Sequence, residues 1–263
     1  MKIIAVILLA CGLSSFAVAP TDSSLSDDVL VRIRFEQRPG TQLSPALVFR
    51  DETGRSVRLG DYFGTKPIVL IPGYYGCPML CSLVLNGATE SFRGLKGNVG
   101  EQFEVVFVSI DPSETPALAA AKKETYLRSY GRGRPDGWHF LTGDTNAIRA
   151  LTAEIGFHFA YDPVARQFAH PSGFVVLTPD GKVSRYFTGI TFAAKDVDFA
   201  LRAARAGRAA PAASTWDLLC FHYAPLTGKY GNLVMTIVRA AGITTVLALG
   251  VMVFSSHRRR PLR

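Results

Sequence analysis

Two cysteines four residues apart carry the strongest chemical signal in the sequence. Cys77 and Cys81 stand where a short apolar run, Ile68 to Ile71, gives way to a helical pattern that begins at Met79. Residues four apart on a helix share one face, so the two sulfurs can close a disulfide or bind one metal ion. A helix N-terminus stabilises the thiolate, which is the form that binds soft metals and attacks disulfides. Spacing alone leaves copper, zinc and a stabilising disulfide open.

The histidines are weaker candidates when each is taken alone. His170 lies in a loop before the strand predicted at 174–177, far from the cysteines in the chain. A loop histidine is more often solvated or held by ordinary hydrogen bonds than bound to a metal. His139 and His158 have aromatic and apolar neighbours, which favours structural roles for both. Residue type by itself therefore selects no histidine ligand.

The region around these residues alternates between strand and helix patterns. Strands are predicted at 31–35, 47–49, 57–59, 68–71, 103–110, 174–177 and 183–187. Helices are predicted at 79–95, 117–128, 145–156 and 193–205, with Asp144 or Thr145 capping the third. This order predicts an α/β domain with one central mixed sheet flanked by helices.

Three separated motifs resemble the SCO/SenC family in order and spacing. They are YGCPMLC at 75–81, SIDPSETP at 109–116 and HPSGFVVLTPDG at 170–181. The resemblance covers roughly Leu47 to Leu201 and implies a thioredoxin-like fold. It also implies that copper is bound by Cys77, Cys81 and His170, for assembly of the dinuclear copper centre of cytochrome c oxidase.

The role that this resemblance implies is a copper-binding assembly factor, a metallochaperone rather than an enzyme. Two thiolates and an imidazole suit Cu(I) and can also hold Cu(II). The implied partners are the copper-accepting subunit of cytochrome c oxidase and a copper donor protein. The alternative is a membrane-tethered thiol-disulfide oxidoreductase that reduces cysteines of an oxidase subunit, with Cys77 and Cys81 as its redox-active pair. A peroxiredoxin-like peroxidase is disfavoured, because the Thr-x-x-Cys context of a peroxidatic cysteine is missing.

Some positions depart from the family pattern or fall outside it. Met79 stands where an acidic residue is common and Ser82 where proline is common. We interpret Met79 as a core residue in preference to a soft ligand. Residues 111–116 are interpreted as turn and helix-cap chemistry. Cys220 and His222 are interpreted as part of an aromatic interfacial segment, with extra metal ligation as the alternative.

The chain ends predict export and membrane attachment. Residues 1–19 have the layout of a signal peptide, or of a lipoprotein signal with Cys11 lipidated, and an uncleaved anchor is a third interpretation. The apolar segment 233–254 predicts a transmembrane helix. The basic tail 255–263 predicts a cytoplasmic C-terminus. We therefore expect a single-pass protein of the cell inner membrane, with its soluble domain on the periplasmic face.

Between the ends we expect one domain. Residues 20–46 are predicted to form a linker and N-terminal strand, 47–206 the thioredoxin-like domain, and 207–232 a linker and juxtamembrane segment. The formal net charge is +8, but part of it comes from arginines in the basic tail, which indicate topology. Nucleic-acid binding is therefore disfavoured.

Overall fold

A computed structural model describes residues 32–77, 80–163, 166–209, 239–245 and 249, with only the backbone of 80 and 81. The predicted signal segment 1–19 lies outside these residues. Of the predicted span 233–254, residues 239–245 and 249 are described and are helical. No helix within the described residues combines the length and the apolar character needed to cross a membrane.

Within the described part of 33–209 there are eleven strands and four α-helices. The strands are β1 Arg34–Phe35, β2 Val48–Arg50, β3 Ser56–Arg58, β4 Ile68–Gly73, β5 Glu104–Ser109, β6 Trp138–Leu141, β7 Phe157–His158, β8 Ala160–Asp162, β9 Gln167–Ala169, β10 Gly173–Leu177 and β11 Val183–Thr188. The helices are α1 Leu80–Arg93, α2 Pro116–Tyr130, α3 Thr145–Glu154 and α4 Ala194–Arg205. Short 3-10 helices occupy Leu59–Tyr62 and Pro135–Gly137.

The main sheet in the described part of the chain has five strands in the order β11-β10-β4-β5-β6. Strands β4, β5 and β6 run parallel, whereas β10 is antiparallel to both β4 and β11. The sheet is therefore mixed, as predicted. Every residue of β4 and β10 is buried, because helices and loops cover both faces of these central strands.

Successive side chains along the sheet strands pack into two separate apolar cores, one on each face. Val69 and Ile71 join the core that includes side chains of α1, α2 and α4. Leu70 joins the core that includes side chains of α3 and Phe49 of β2. This division follows from the two-residue period of a strand, which sends successive side chains to opposite faces. The fold is thus three layers deep, with helices on both sides of one mixed sheet.

Most predicted elements are confirmed, with shifted ends. The hairpins at β2–β3 and β10–β11 and all four helices are present. The strand predicted at 31–35 is confined in the described residues to Arg34–Phe35, which pairs with the two-residue strand β7. The third helix ends at Glu154, and Gly156 turns the chain with a φ of 66°. Strands β6, β7, β8 and β9 were not predicted.

The segment before the β2–β3 hairpin is packed onto the domain. Leu43 is fully buried, and the ring of Phe35 lies 5.1 Å from that of Tyr186. Backbone hydrogen bonds join residues 40–43 to the outer edge of β11 near Val183. Further along the same segment, Arg50 exchanges two backbone hydrogen bonds with Thr142, just beyond β6. One stretch of chain therefore lies against both edge strands of the main sheet.

Candidate metal centre

The loop that follows β4 carries the first predicted ligand. Tyr74 and Tyr75 are buried, Gly76 is exposed, and Cys77 is buried with 9% of its surface accessible. Helix α1 then begins at Leu80, so Cys81 lies in its first turn. The thiol of Cys77 thus precedes a helix N-terminus, where the unpaired N–H groups and the dipole favour a thiolate.

Strand direction places His170 near the end of β4, where the Cys77 loop begins. His170 precedes β10, and β10 is antiparallel to β4, so the start of β10 lies beside the end of β4. The imidazole of His170 is buried, and its ring centroid lies 5.8 Å from that of Tyr74. A residue three positions before Cys77 therefore packs against His170, although the two segments are almost a hundred residues apart in the chain.

The tautomer of His170 follows from one hydrogen bond. Its Nδ1 lies 2.8 Å from the carbonyl oxygen of Pro171. A carbonyl can only accept, so Nδ1 carries the proton, and in the neutral ring Nε2 bears the lone pair. A hydrogen bond at one imidazole nitrogen commonly orients the other nitrogen of a metal-binding histidine. The chemistry of His170 thus fits that of a ligand.

A hairpin absent from the sequence prediction carries His170. Strands β8 and β9 pair antiparallel, and His170 follows β9 directly. Phe168 of β9 lies 5.8 Å from the ring of Tyr74, and Phe157 lies 5.7 Å from the ring of His170. The rings of Tyr74 and Phe157 therefore pack against the buried imidazole, and Phe168 packs behind Tyr74. The sequence signal was weak, because each strand has only three residues.

The described side chains contain no cluster of three or more His, Cys, Asp or Glu residues that could hold a metal ion. The side chain of Cys81 is outside that set, so the complete trio of Cys77, Cys81 and His170 remains a prediction. The possible extra ligands Met79, Cys220 and His222 also lie outside the described residues, as does Cys11, the possible lipidation site.

Glu114 is a residue that the sequence analysis missed. Its Oε2 accepts hydrogen bonds from the Tyr75 backbone N–H at 2.8 Å and from the Ser109 hydroxyl at 2.6 Å. Its Oε1 accepts from the Gly76 N–H at 2.6 Å. Burial raises the pKa of Glu114 and the Asp111 carboxylate adds to the rise, while the donated bonds oppose it. This carboxylate is bonded to the two residues directly before Cys77.

The rest of the 111–116 segment behaves as predicted. Asp111 accepts hydrogen bonds from the N–H and the hydroxyl of Ser113, which makes a local turn. Thr115 is the N-cap of α2, and its hydroxyl accepts from the Leu118 N–H at 3.4 Å. Glu114 could not be singled out in sequence, because its partners are backbone amides 38 and 39 residues away.

The two histidines predicted to be structural have protein partners. His139 Nε2 lies 3.3 Å from Glu104, whose other carboxylate oxygen accepts from Lys66 at 2.6 Å. His158 Nε2 lies 3.2 Å from a carboxylate oxygen of Glu36. His139 is near the start of β6. Since β4 and β6 run parallel, it lies at the opposite end of the strands from the Cys77 loop, which follows β4. Neither contact involves Cys77 or His170.

The SCO1/SenC family model matches residues 36–202, which is more than half of the chain. The chain belongs to the SCO1/SenC family. This assignment confirms the resemblance seen in the three motifs.

Individual relatives of this SCO1/SenC chain are distant. A "Putative copper-binding protein" of Stutzerimonas stutzeri is 25% identical over 182 residues, covering 68% of this chain and 82% of the relative. A "putative electron transfer protein" from Aquifex aeolicus, solved by crystallography, is 27% identical with a TM-score of 0.57, covering 65% of this chain and 96% of that one. The solved structure of BsSco, described as a member of the Sco family of cytochrome c oxidase assembly proteins with a disulfide switch, is 20% identical. Its TM-score is 0.51, and the match covers 65% of this chain and 98% of that chain.

Proposed function

We propose that this protein binds copper through Cys77, Cys81 and His170 and delivers it to the copper-accepting subunit of cytochrome c oxidase. The observation that carries the proposal is the packing of the His170 ring against Tyr74, at the edge of the sheet where the Cys77 loop begins. Membership of the SCO1/SenC family and the likeness to a relative described as copper-binding support it. Copper is cargo here, taken from a donor protein and passed on.

The donor set suits the cargo. Thiolate sulfur and imidazole nitrogen are soft to intermediate ligands that accept Cu(I) and Cu(II), so release can accompany a change of redox state. The start of α1 favours deprotonated sulfur at Cys77 and Cys81. Oxidation of the two thiolates to a disulfide removes two electrons and both sulfur ligands, so an oxidised chain would not hold copper.

Anaerobic titration of the reduced full chain with Cu(I), in competition with a chromogenic chelator, tests the proposal. We expect one equivalent to bind, and His170→Ala to weaken affinity by more than about 10-fold, since even groups behind the ligands change affinity by that much. His139→Gln is the matched control, because it alters a histidine at the opposite end of the strands. Equal affinities for wild type and His170→Ala would refute the ligand set.

A thiol-disulfide oxidoreductase is the second candidate, and the place of Cys77 before a helix N-terminus favours it. This activity requires both cysteines but no histidine ligand. A His170→Ala variant that reduces a disulfide in an oxidase-subunit peptide as fast as wild type, while failing to bind copper, would support a reductase. Loss of cellular oxidase activity in the same variant would support copper delivery.

The cellular placement is also a proposal and rests on the sequence. We infer that 233–254 anchors the chain in the inner membrane with the domain outside, because an arginine-rich tail follows the apolar segment. Protease added to intact spheroplasts should digest the domain and spare a tag fused at the C-terminus. Digestion of the tag together with the domain would contradict this orientation.

A further inference from the structure

One carboxylate ties the loop before Cys77 to the next strand of the sheet. Glu114 lies between β5 and α2, and both of its oxygens are bonded. Two of the three donors are backbone amides of the loop, at Tyr75 and Gly76, and the third is the buried hydroxyl of Ser109 at the end of β5. Neighbouring strands are thus joined at the edge where the predicted ligands lie.

The bonds from Glu114 add to other contacts that hold the loop, and they act on the two residues nearest Cys77. Gly76 is exposed and has no side chain to pack, so the hydrogen bond from its backbone N–H to Glu114 restrains it. Tyr75 is fixed through its ring, which packs 5.1 Å from Phe107, and through its hydroxyl, which donates to the Leu141 carbonyl at 2.8 Å. The Glu114 bonds act on the peptide groups immediately before Cys77, where a small rotation would redirect the thiol.

On the basis of the proposed function, we infer that Glu114 is a positioning residue for copper, holding the Cys77 thiol in the direction that suits binding with His170. Charge-assisted hydrogen bonds from backbone amides to a carboxylate are short and directional. They restrain the loop before the metal arrives, so less order has to be gained on binding. Glu114 itself is not a ligand in this scheme.

Glu114→Gln tests the inference with almost no change of shape. The amide has one acceptor oxygen and one NH2 group, and NH2 cannot accept from the backbone N–H that faces it. We expect Cu(I) affinity to fall about 10-fold to 100-fold, as is usual when a group supporting a ligand is lost. The thiolate-to-Cu(II) absorption band and the EPR hyperfine coupling should also shift, whereas loss of stability alone would leave the spectrum of the folded fraction unchanged.

Glu124→Gln is the matched control, because it removes the same charge from an exposed position on α2. It should leave both affinity and spectrum at wild-type values. Glu114→Gln with wild-type affinity and spectrum would overturn the inference. Glu114→Asp keeps both oxygens on a shorter arm, so it should recover part of the affinity that Glu114→Gln loses.

Failure of the proposed function can be told apart from failure of this inference. If the wild-type chain binds no copper, the proposed function fails, but the loop can still be probed by alkylation of Cys77 in a Cys81→Ser background. Mass spectrometry of the peptide that contains Cys77 gives the rate. A severalfold faster reaction in Glu114→Gln would show that Glu114 holds the Cys77 thiol in place, and an equal rate would overturn that role.

Discussion

Replacement of Gly173 by alanine should damage both the fold and the proposed site. Gly173 opens β10, three residues after His170, and has a φ of 144°, where L side chains are rarely found. A Cβ there would lie 2.1 Å from the carbonyl oxygen of Phe187 and 3.1 Å from the Cα of Thr188. Both atoms belong to the backbone of β11, so they cannot swing aside as a flexible side chain would.

The expected cost has three sources. Unfavourable φ costs an alanine about 1–3 kcal/mol. Forcing β10 and β11 apart resembles overpacking of a core, at about 1–3 kcal/mol. Loss of the neighbouring hydrogen bond from the Gly189 N–H to the Ser172 carbonyl adds about 1 kcal/mol. We therefore expect Gly173→Ala to lower the free energy of unfolding by about 3–7 kcal/mol.

Urea denaturation followed by circular dichroism measures this loss, and Gly54→Ala separates its components. Gly54 has a φ of 84°, but no atom lies within 4 Å of the position that a Cβ would take there. Alanine at Gly54 should therefore cost about 1–2 kcal/mol from backbone strain alone. Gly173→Ala should also weaken Cu(I) binding, since its loop leads to His170, whereas Gly54→Ala should not. Equal losses of stability in the two variants would refute the steric reasoning.

Three further predictions concern groups around the sheet. Burial would raise the pKa of Glu104, but hydrogen bonds and positive charge from His139 and Lys66 hold this pKa below 4.5. The ionised carboxylate therefore stabilises the fold above pH 4.5, and this stabilisation is lost as the pH falls through the lowered pKa. Glu104→Gln should therefore lower the free energy of unfolding by about 1–2 kcal/mol at pH 7, with the deficit shrinking in acid denaturation series below pH 4.5. Tyr75→Phe should cost about 1 kcal/mol in urea denaturation, because it removes the buried bond to Leu141, and an unchanged midpoint would contradict that. Asp144→Ala should cost about 1 kcal/mol, since its carboxylate accepts two amide bonds at the start of α3, and Asp144→Asn should recover most of the loss.

Sequence patterns predicted the elements whose signal is long and regular. Strand β4 is a continuous apolar run and is buried on both faces, and Asp144 caps α3 as the sequence indicated. Strand β6 was missed because it has four residues and contains His139, which interrupts the apolar pattern. The β8–β9 hairpin was missed because strands of three residues give too little periodicity.

The family resemblance implied Cys77, Cys81 and His170 as ligands, and that set stays a prediction. Strand direction explains why His170 lies near the end of β4, where the Cys77 loop begins. The role of Glu114 could not be predicted, because it accepts hydrogen bonds from backbone amides, and these do not depend on the side chains of Tyr75 and Gly76. The packing of Tyr74 against His170 likewise depends on tertiary contact.

The N-terminal stretch that lies against both edge strands bears on aggregation. Unpaired strand edges are templates for intermolecular pairing, and here residues 40–43 occupy the edge of β11 while Arg50 occupies the end of β6. A chain that begins at Leu47 would leave the β11 edge uncovered and lose the burial of Leu43. Expression of the domain for study should therefore retain the residues from Arg34 onward, since a shorter fragment invites self-association through β11.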